Sequence, residues 1–141
     1  MSVRSRTAGA PVSFEAMPLA GVLRGLTSAG VLLSAVVHLY LYVADGYDSI
    51  DVVGPMFLVN AVAGLVIGVL LLIWRSWIPL FLAAGFGAAT LGAYILSATI
   101  GFFGVNSQIM GVNEWLGVVS EAVALIGGIA GLLLERRSRA S

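Results

Sequence analysis

The chain contains no cysteine, no lysine and a single histidine, and only 10% of its residues are charged. Without cysteine there are no disulfides, no thiolate metal sites and no thiol redox chemistry, and nothing indicates the redox compartment. Without lysine the positive charge rests on seven arginines. They form no stripe that could follow a nucleic-acid backbone, so no nucleic-acid partner is expected. Also absent are a serine nucleophile beside a base, a glycine loop closed by lysine that could cradle phosphate, and an HExxH pair. The chain is therefore read as something other than an enzyme, with no cofactor and no metal.

What is present is apolar. Of 141 residues, 60% are hydrophobic, and the mean hydropathy is +1.05. Soluble domains carry about 25% charged residues. A chain this short cannot bury so much apolar surface in one water-soluble core, so lipid must cover the remainder. Four apolar runs are each long enough for a helix across a hydrocarbon core, which takes about 20 residues. They cover about 22–43, 52–74, 77–103 and 114–134. The runs are too long for strands and do not show the alternation of a membrane barrel. Residues 1–20 read as a flexible tail and 135–141 as a basic tail. A basic start before an apolar run also resembles a secretory signal, but Val43-Ala44-Asp45 lacks the small-x-small cleavage pattern, so a retained first span is expected.

The arginines set the expected orientation. Arg4, Arg6 and Arg24 precede span one, Arg75 lies between spans two and three, and Arg136, Arg137 and Arg139 follow span four. With four crossings all seven fall on one side, which is then cytoplasmic. The expectation is an all-α membrane protein: an antiparallel four-helix transmembrane bundle, both termini cytoplasmic. Asp45, Asp48, Asp51 and Glu114 then form an acidic outer surface. These aspartates offer oxygen ligands to a cation, but their spacing is not that of an EF-hand. Asp51 also suits a helix N-cap, and Glu114 the first turn of span four.

Each span carries small or polar residues at helical spacing: Thr27, Ser34 and His38; Asn60, Gly64 and Gly68; Gly87, Thr90, Tyr94, Ser97 and Gly101; Glu114, Gly117, Glu121, Ala124, Gly128 and Gly131. Such stripes let membrane helices approach closely and bond across their interface. At about 1.5 Å per residue, His38, Asn60, Tyr94, Ser97 and Glu121 fall in one layer of the outer leaflet. An ionisable group at that depth is costly without a partner, so His38 and Glu121 are expected to pair, directly or through water. Asn60 and Tyr94 or Ser97 would complete the network. The layer reads as a polar cluster that fixes helix neighbours, or as a proton-titrating pair in a small carrier or ligand site. A metal site built on His38 and Glu121 is weakened by the single imidazole. Haem on His38 is a further reading, and double-His ligation would need a dimer.

The run Val37-His38-Leu39-Tyr40-Leu41-Tyr42, then Gly46-Tyr47, Ile50 and Phe57-Leu58-Val59-Asn60-Ala61-Val62-Ala63-Gly64, resembles small four-span integral membrane proteins of actinobacteria. In these a similar H-L-x-L-aromatic segment precedes a short G-Y loop. The resemblance covers the first half of the chain. It implies a multi-pass location in the bacterial plasma membrane and the same topology, and it carries over no catalytic residue. Two functions remain in view. One is a structural or accessory subunit that packs in the lipid bilayer with itself, as a homo-oligomer, or with a larger membrane complex. The other is a small proton-coupled transporter or ligand-binding bundle using His38 and Glu121.

Overall fold

A computed structural model describes residues 16–106 and 111–140. The reading of residues 1–15 as a tail, with Arg4 and Arg6, lies outside them, as does part of the expected loop at 104–113. Among the described residues there are four α-helices: α1 (Ala16–Ala44), α2 (Val53–Ile73), α3 (Trp77–Thr99) and α4 (Val112–Ala140), with a short 3-10 turn at Tyr47–Ser49. All four helices are long and apolar enough to cross a membrane.

The helix ends follow from local chemistry. Pro18, Pro55 and Pro79 sit in first turns, where a missing N–H costs nothing. α1 therefore starts earlier than the expected span, inside the presumed tail. The Ser76 hydroxyl caps α3 by accepting from the Ile78 N–H at 3.3 Å. α3 stops at Thr99, short of the expected 103, because Gly101 turns the chain at φ 84°. Glycine tolerates this conformation best. α4 continues through the basic residues read as a tail. Cations favour a helix C-terminus, and Arg139 reaches back to Glu135 at 3.8 Å. At α2 the expected cap is corrected. The N-cap is Val52 (φ 68°, ψ −52°), with no side-chain bond, and Asp51 serves through its carbonyl, which accepts from the Val53 N–H at 2.8 Å. This is a γ-turn with positive φ, a strained conformation for a β-branched residue.

α1 packs against α2 and α4, and α3 packs against α4. α2 and α3 touch much less, although only a short turn joins them. Glycines make the tight seams. A Cβ on Gly87 would stand 2.6 Å from the Glu121 carbonyl oxygen and the Leu125 nitrogen, and one on Gly128 would stand 2.7 Å from the backbone of Ala84 and Leu80. The core lies where the helices converge, around Val31, Ile67, Leu71, Leu80, Phe86 and Ala124. Val36, Ile73, Ile100 and Ile126 are 63–80% exposed. Apolar surface on this scale exceeds what water-soluble monomers show and suits a lipid surround.

Several buried serine and threonine hydroxyls are satisfied by backbone. Thr27 donates to the Leu23 carbonyl at 2.7 Å and Ser120 to that of Gly117 at 2.8 Å. Ser28 donates across to the Gly68 carbonyl at 2.8 Å, tying α1 to α2. One end of the bundle is closed by Arg24. The sequence places Arg24 among the residues flanking span one, yet it is 8% exposed. Its guanidinium donates to the Trp74 carbonyl at 3.3 Å, to the Ser76 carbonyl, and to Glu135 Oε1 at 2.5 Å. Three elements are thereby clasped: α1, the α2–α3 turn and the last turns of α4.

Candidate functional site

The other end holds the polar residues. His38 lies six residues before the end of α1. Its Nδ1 is 2.8 Å from the Ser34 carbonyl oxygen, one turn back. A carbonyl oxygen only accepts, so Nδ1 carries hydrogen. Phe57 of α2 packs on the imidazole with centroids 4.9 Å apart, and Tyr47 stacks on Phe57 at 4.6 Å. Held this way, the ring points Nε2 at Glu121 Oε1 on α4, 3.7 Å away. That is ion-pair range but longer than a formed hydrogen bond.

This geometry counts the protons. With Nδ1 protonated, a neutral imidazole presents its Nε2 lone pair to Glu121. A lone pair facing a carboxylate is repulsive. The arrangement therefore favours one further proton on the pair, as imidazolium with carboxylate or imidazole with carboxylic acid, and in either form the pair is neutral overall. Glu121 is 3% exposed, and Thr90 of α3, whose hydroxyl donates to the Phe86 carbonyl at 2.8 Å, lies near it. α1, α3 and α4 thus each bring a polar side chain to this point.

Beside the pair, α2 and α3 separate. Between them lies a cleft of about 410 Å³, within the range that encloses small organic ligands. His38, Asn60, Thr90 and Ser97 contribute its polar groups, and Val53, Met56, Val59, Ala63, Ala89 and Ala93 most of its wall. Tyr47, Phe102 and Val105 stand at its loop end. A turn holds the last two: Phe102 and Val105 exchange backbone bonds at 2.9 Å, and the Ser97 hydroxyl donates to the Val105 carbonyl at 2.8 Å.

The five residues of the expected layer therefore separate into roles. His38 and Glu121 face one another. Asn60 and Ser97 stand on opposite walls of the cleft. The Asn60 carboxamide has no hydrogen bond to any described residue. Tyr94 is on neither wall. Its hydroxyl is buried without a described partner, in the field of Glu114, Glu121 and Tyr47. Asp45, Asp48 and Asp51 are exposed, and among the described residues no three metal-ligating side chains are gathered. Glu114 occupies the first turn of α4, as expected. The sequence reading missed the cleft, Phe57 as the wall behind His38, and Thr90 as the neighbour of Glu121. Thr90 had a signal, since it falls on the same helical stripe as Tyr94 and Ser97.

Tyr47 supports a pH test. Burial first, then the charges of Glu114 and Asp45, push its phenol above the ordinary 10.0. The folded state thus keeps this proton longer than the unfolded state. Its effect on stability is absent below pH about 10 and becomes a loss as pH rises through the folded pKa. In an alkaline absorbance titration, Tyr47→Phe should remove a phenol that ionises above 10. Removal of one that ionises below 10 would contradict the packing of the loop on Phe57.

The fold is thus an all-helical chain of four helices suited to a membrane, with an ionisable pair beside a cleft. Compared with protein-family models, curated proteins and solved structures, the chain matches none of them.

Proposed function

We propose that this chain is a multi-pass protein of the bacterial plasma membrane, an antiparallel bundle with both termini in the cytoplasm. On this reading it holds a small, mainly apolar molecule from the outer leaflet in the α2/α3 cleft. The His38–Glu121 pair serves as a proton-holding anchor at the cleft's polar side. One observation carries this: a cleft of about 410 Å³ opens beside His38, whose Nε2 faces Glu121 Oε1 at 3.7 Å. A cluster serving only to fix helix neighbours has no need of space beside it. The orientation is supported by the arginine distribution, and the location by the resemblance in the first half of the chain. Coupling between ligand and proton would follow from contact with His38, whose Nε2 faces the Glu121 carboxyl.

The accessory-subunit reading keeps one observation of its own. Gly21, Gly25 and Gly85 have nothing within 4 Å of the position a Cβ would take, and Gly21, Gly25 and Gly85 are exposed. Small outward faces of this kind let another helix approach. Two variants separate the readings. Ala93→Leu puts bulk into the cleft, and Glu121→Gln removes the carboxylic proton while keeping the shape. The protein is purified in lipid nanodiscs, and its extractable small molecules are compared with bulk lipid by mass spectrometry. Ligand holding predicts a species enriched with the wild type and reduced about tenfold, the loss of one good contact, in Ala93→Leu. It also predicts that pH-dependent retention disappears in Glu121→Gln, with assembly unchanged. Identical extracts from all three proteins, with a changed oligomeric state, would favour the accessory subunit.

A further inference from the structure

We infer that the cleft selects an uncharged head group that both donates and accepts a hydrogen bond, such as an alcohol or a primary amide, on an alkyl body. This rests on the reading that the cleft holds a ligand, and it specifies the ligand's chemistry.

The body is set by the walls. Val53, Met56, Val59, Ala63, Ala89 and Ala93 present hydrocarbon. Met56, Val59 and Ala89 are also exposed on the outside of the bundle, so the opening lies on the apolar flank and a ligand reaches it through lipid. The head is set by what the polar groups leave unused. Thr90 and Ser97 already donate their hydroxyl hydrogens, to the Phe86 and Val105 carbonyls, each at 2.8 Å. Asn60 is uncommitted, and a carboxamide has two donor hydrogens and an acceptor oxygen. A polar side chain in a membrane helix needs a partner, and Asn60 faces the cleft. His38 presents its ring to the same space with Nε2 turned to Glu121 Oε1 at 3.7 Å, and the Tyr47 phenol, itself a donor and an acceptor, stands at the loop end.

Charge is excluded by the same inventory. Among the described residues no arginine, aspartate or glutamate lines the cleft, and Glu121 behind His38 is turned to the imidazole. A permanent cation or anion would enter without a counter-charge at membrane depth, which is strongly unfavourable. A pure acceptor such as an ether would leave the Asn60 oxygen unpaired, and a plain alkane would leave the whole carboxamide unpaired.

The test uses the full chain in lipid nanodiscs and a photoreactive dodecanol carrying a diazirine on its alkyl chain. Labelled residues are mapped by mass spectrometry. Dodecanol, dodecyl methyl ether and dodecyltrimethylammonium then compete with the label. Labelling is expected on the α2 segment around Met56–Ala63 and the α3 segment around Ala89–Ala93. Dodecanol should compete about tenfold better than the ether or the ammonium, the worth of about one hydrogen bond. Asn60→Leu should abolish the preference of alcohol over ether while the protein stays folded. If the ammonium competes as well as the alcohol, or Asn60→Leu keeps the preference, the head-group inference fails although the cleft still binds. If labelling spreads over the bundle exterior and Ala93→Leu does not change it, the cleft reading itself fails, and the inference with it.

Discussion

Replacing Gly87 by alanine should unfold or severely destabilise the bundle, by about 4 kcal/mol or more, a loss confined to a few mechanisms such as overpacking. The added methyl would stand 2.6 Å from the Glu121 carbonyl oxygen and the Leu125 nitrogen, and 3.0 Å from the Leu125 Cα. All three are backbone atoms, so no side chain can rotate away. α3 and α4 would have to separate, and the two helices that bring Thr90 and Glu121 together would part. Gly85 supplies the control. It lies two residues away on the same helix and has nothing within 4 Å of its Cβ position. Gly85→Ala should be neutral or stabilising by about 0.5–1 kcal/mol, because alanine loses less backbone freedom in a helix. Unfolding of both variants in mixed micelles checks the pair. Equal effects would contradict the α3–α4 seam.

Loss of the Arg24 guanidinium should be comparably damaging. Arg24→Gln would remove the partner of Glu135 at 2.5 Å and the donors to the Trp74 and Ser76 carbonyls. Glu135 would then keep Arg139, at 3.8 Å and with a side chain 65% exposed, as a weak partner. Breaking a buried pair on one side costs about 3–5 kcal/mol, because the remaining charge is left uncompensated. Glu135→Gln should cost less, since Arg24 keeps its backbone acceptors. The double variant should be less destabilised than the sum of the two, because in it no charge is stranded. Additive losses would mean that Arg24 and Glu135 do not meet. At the other end α2 and α3 stand apart around the cleft.

Much of this architecture was legible in the residues. The four apolar runs became four helices because their length and composition left no other structure for the backbone. Glu121 and His38 could be paired on paper, because each is costly alone at membrane depth and helical rise sets their levels. The cleft was not legible. It is a space left by how four helices settle. Ala89 and Ala93, which border it, look in the sequence like Gly64 and Gly128, which are packed shut. Arg24 was read as a flank because arginine normally marks a membrane boundary. Its burial depends on carbonyls at the α2–α3 turn, about fifty positions away. Asp51 looked like a cap, yet the strained turn at Val52 hands that task to the backbone. The state of His38 depends on a bond to a main-chain oxygen, which no spacing of side chains reveals.

The chain has one histidine, so nitrogen-15 labelling of histidine in protein made without a histidine tag gives the ring signals of His38 alone. Its nitrogen resonances should show Nδ1 protonated, as its bond to the Ser34 carbonyl requires, and Nε2 shifted by the proton shared with Glu121. Glu121→Gln should then move the Nε2 signal and leave Nδ1 nearly in place. A bare Nδ1 with a protonated Nε2, unmoved by Glu121→Gln, would contradict the one-proton pair on which the account of the site rests.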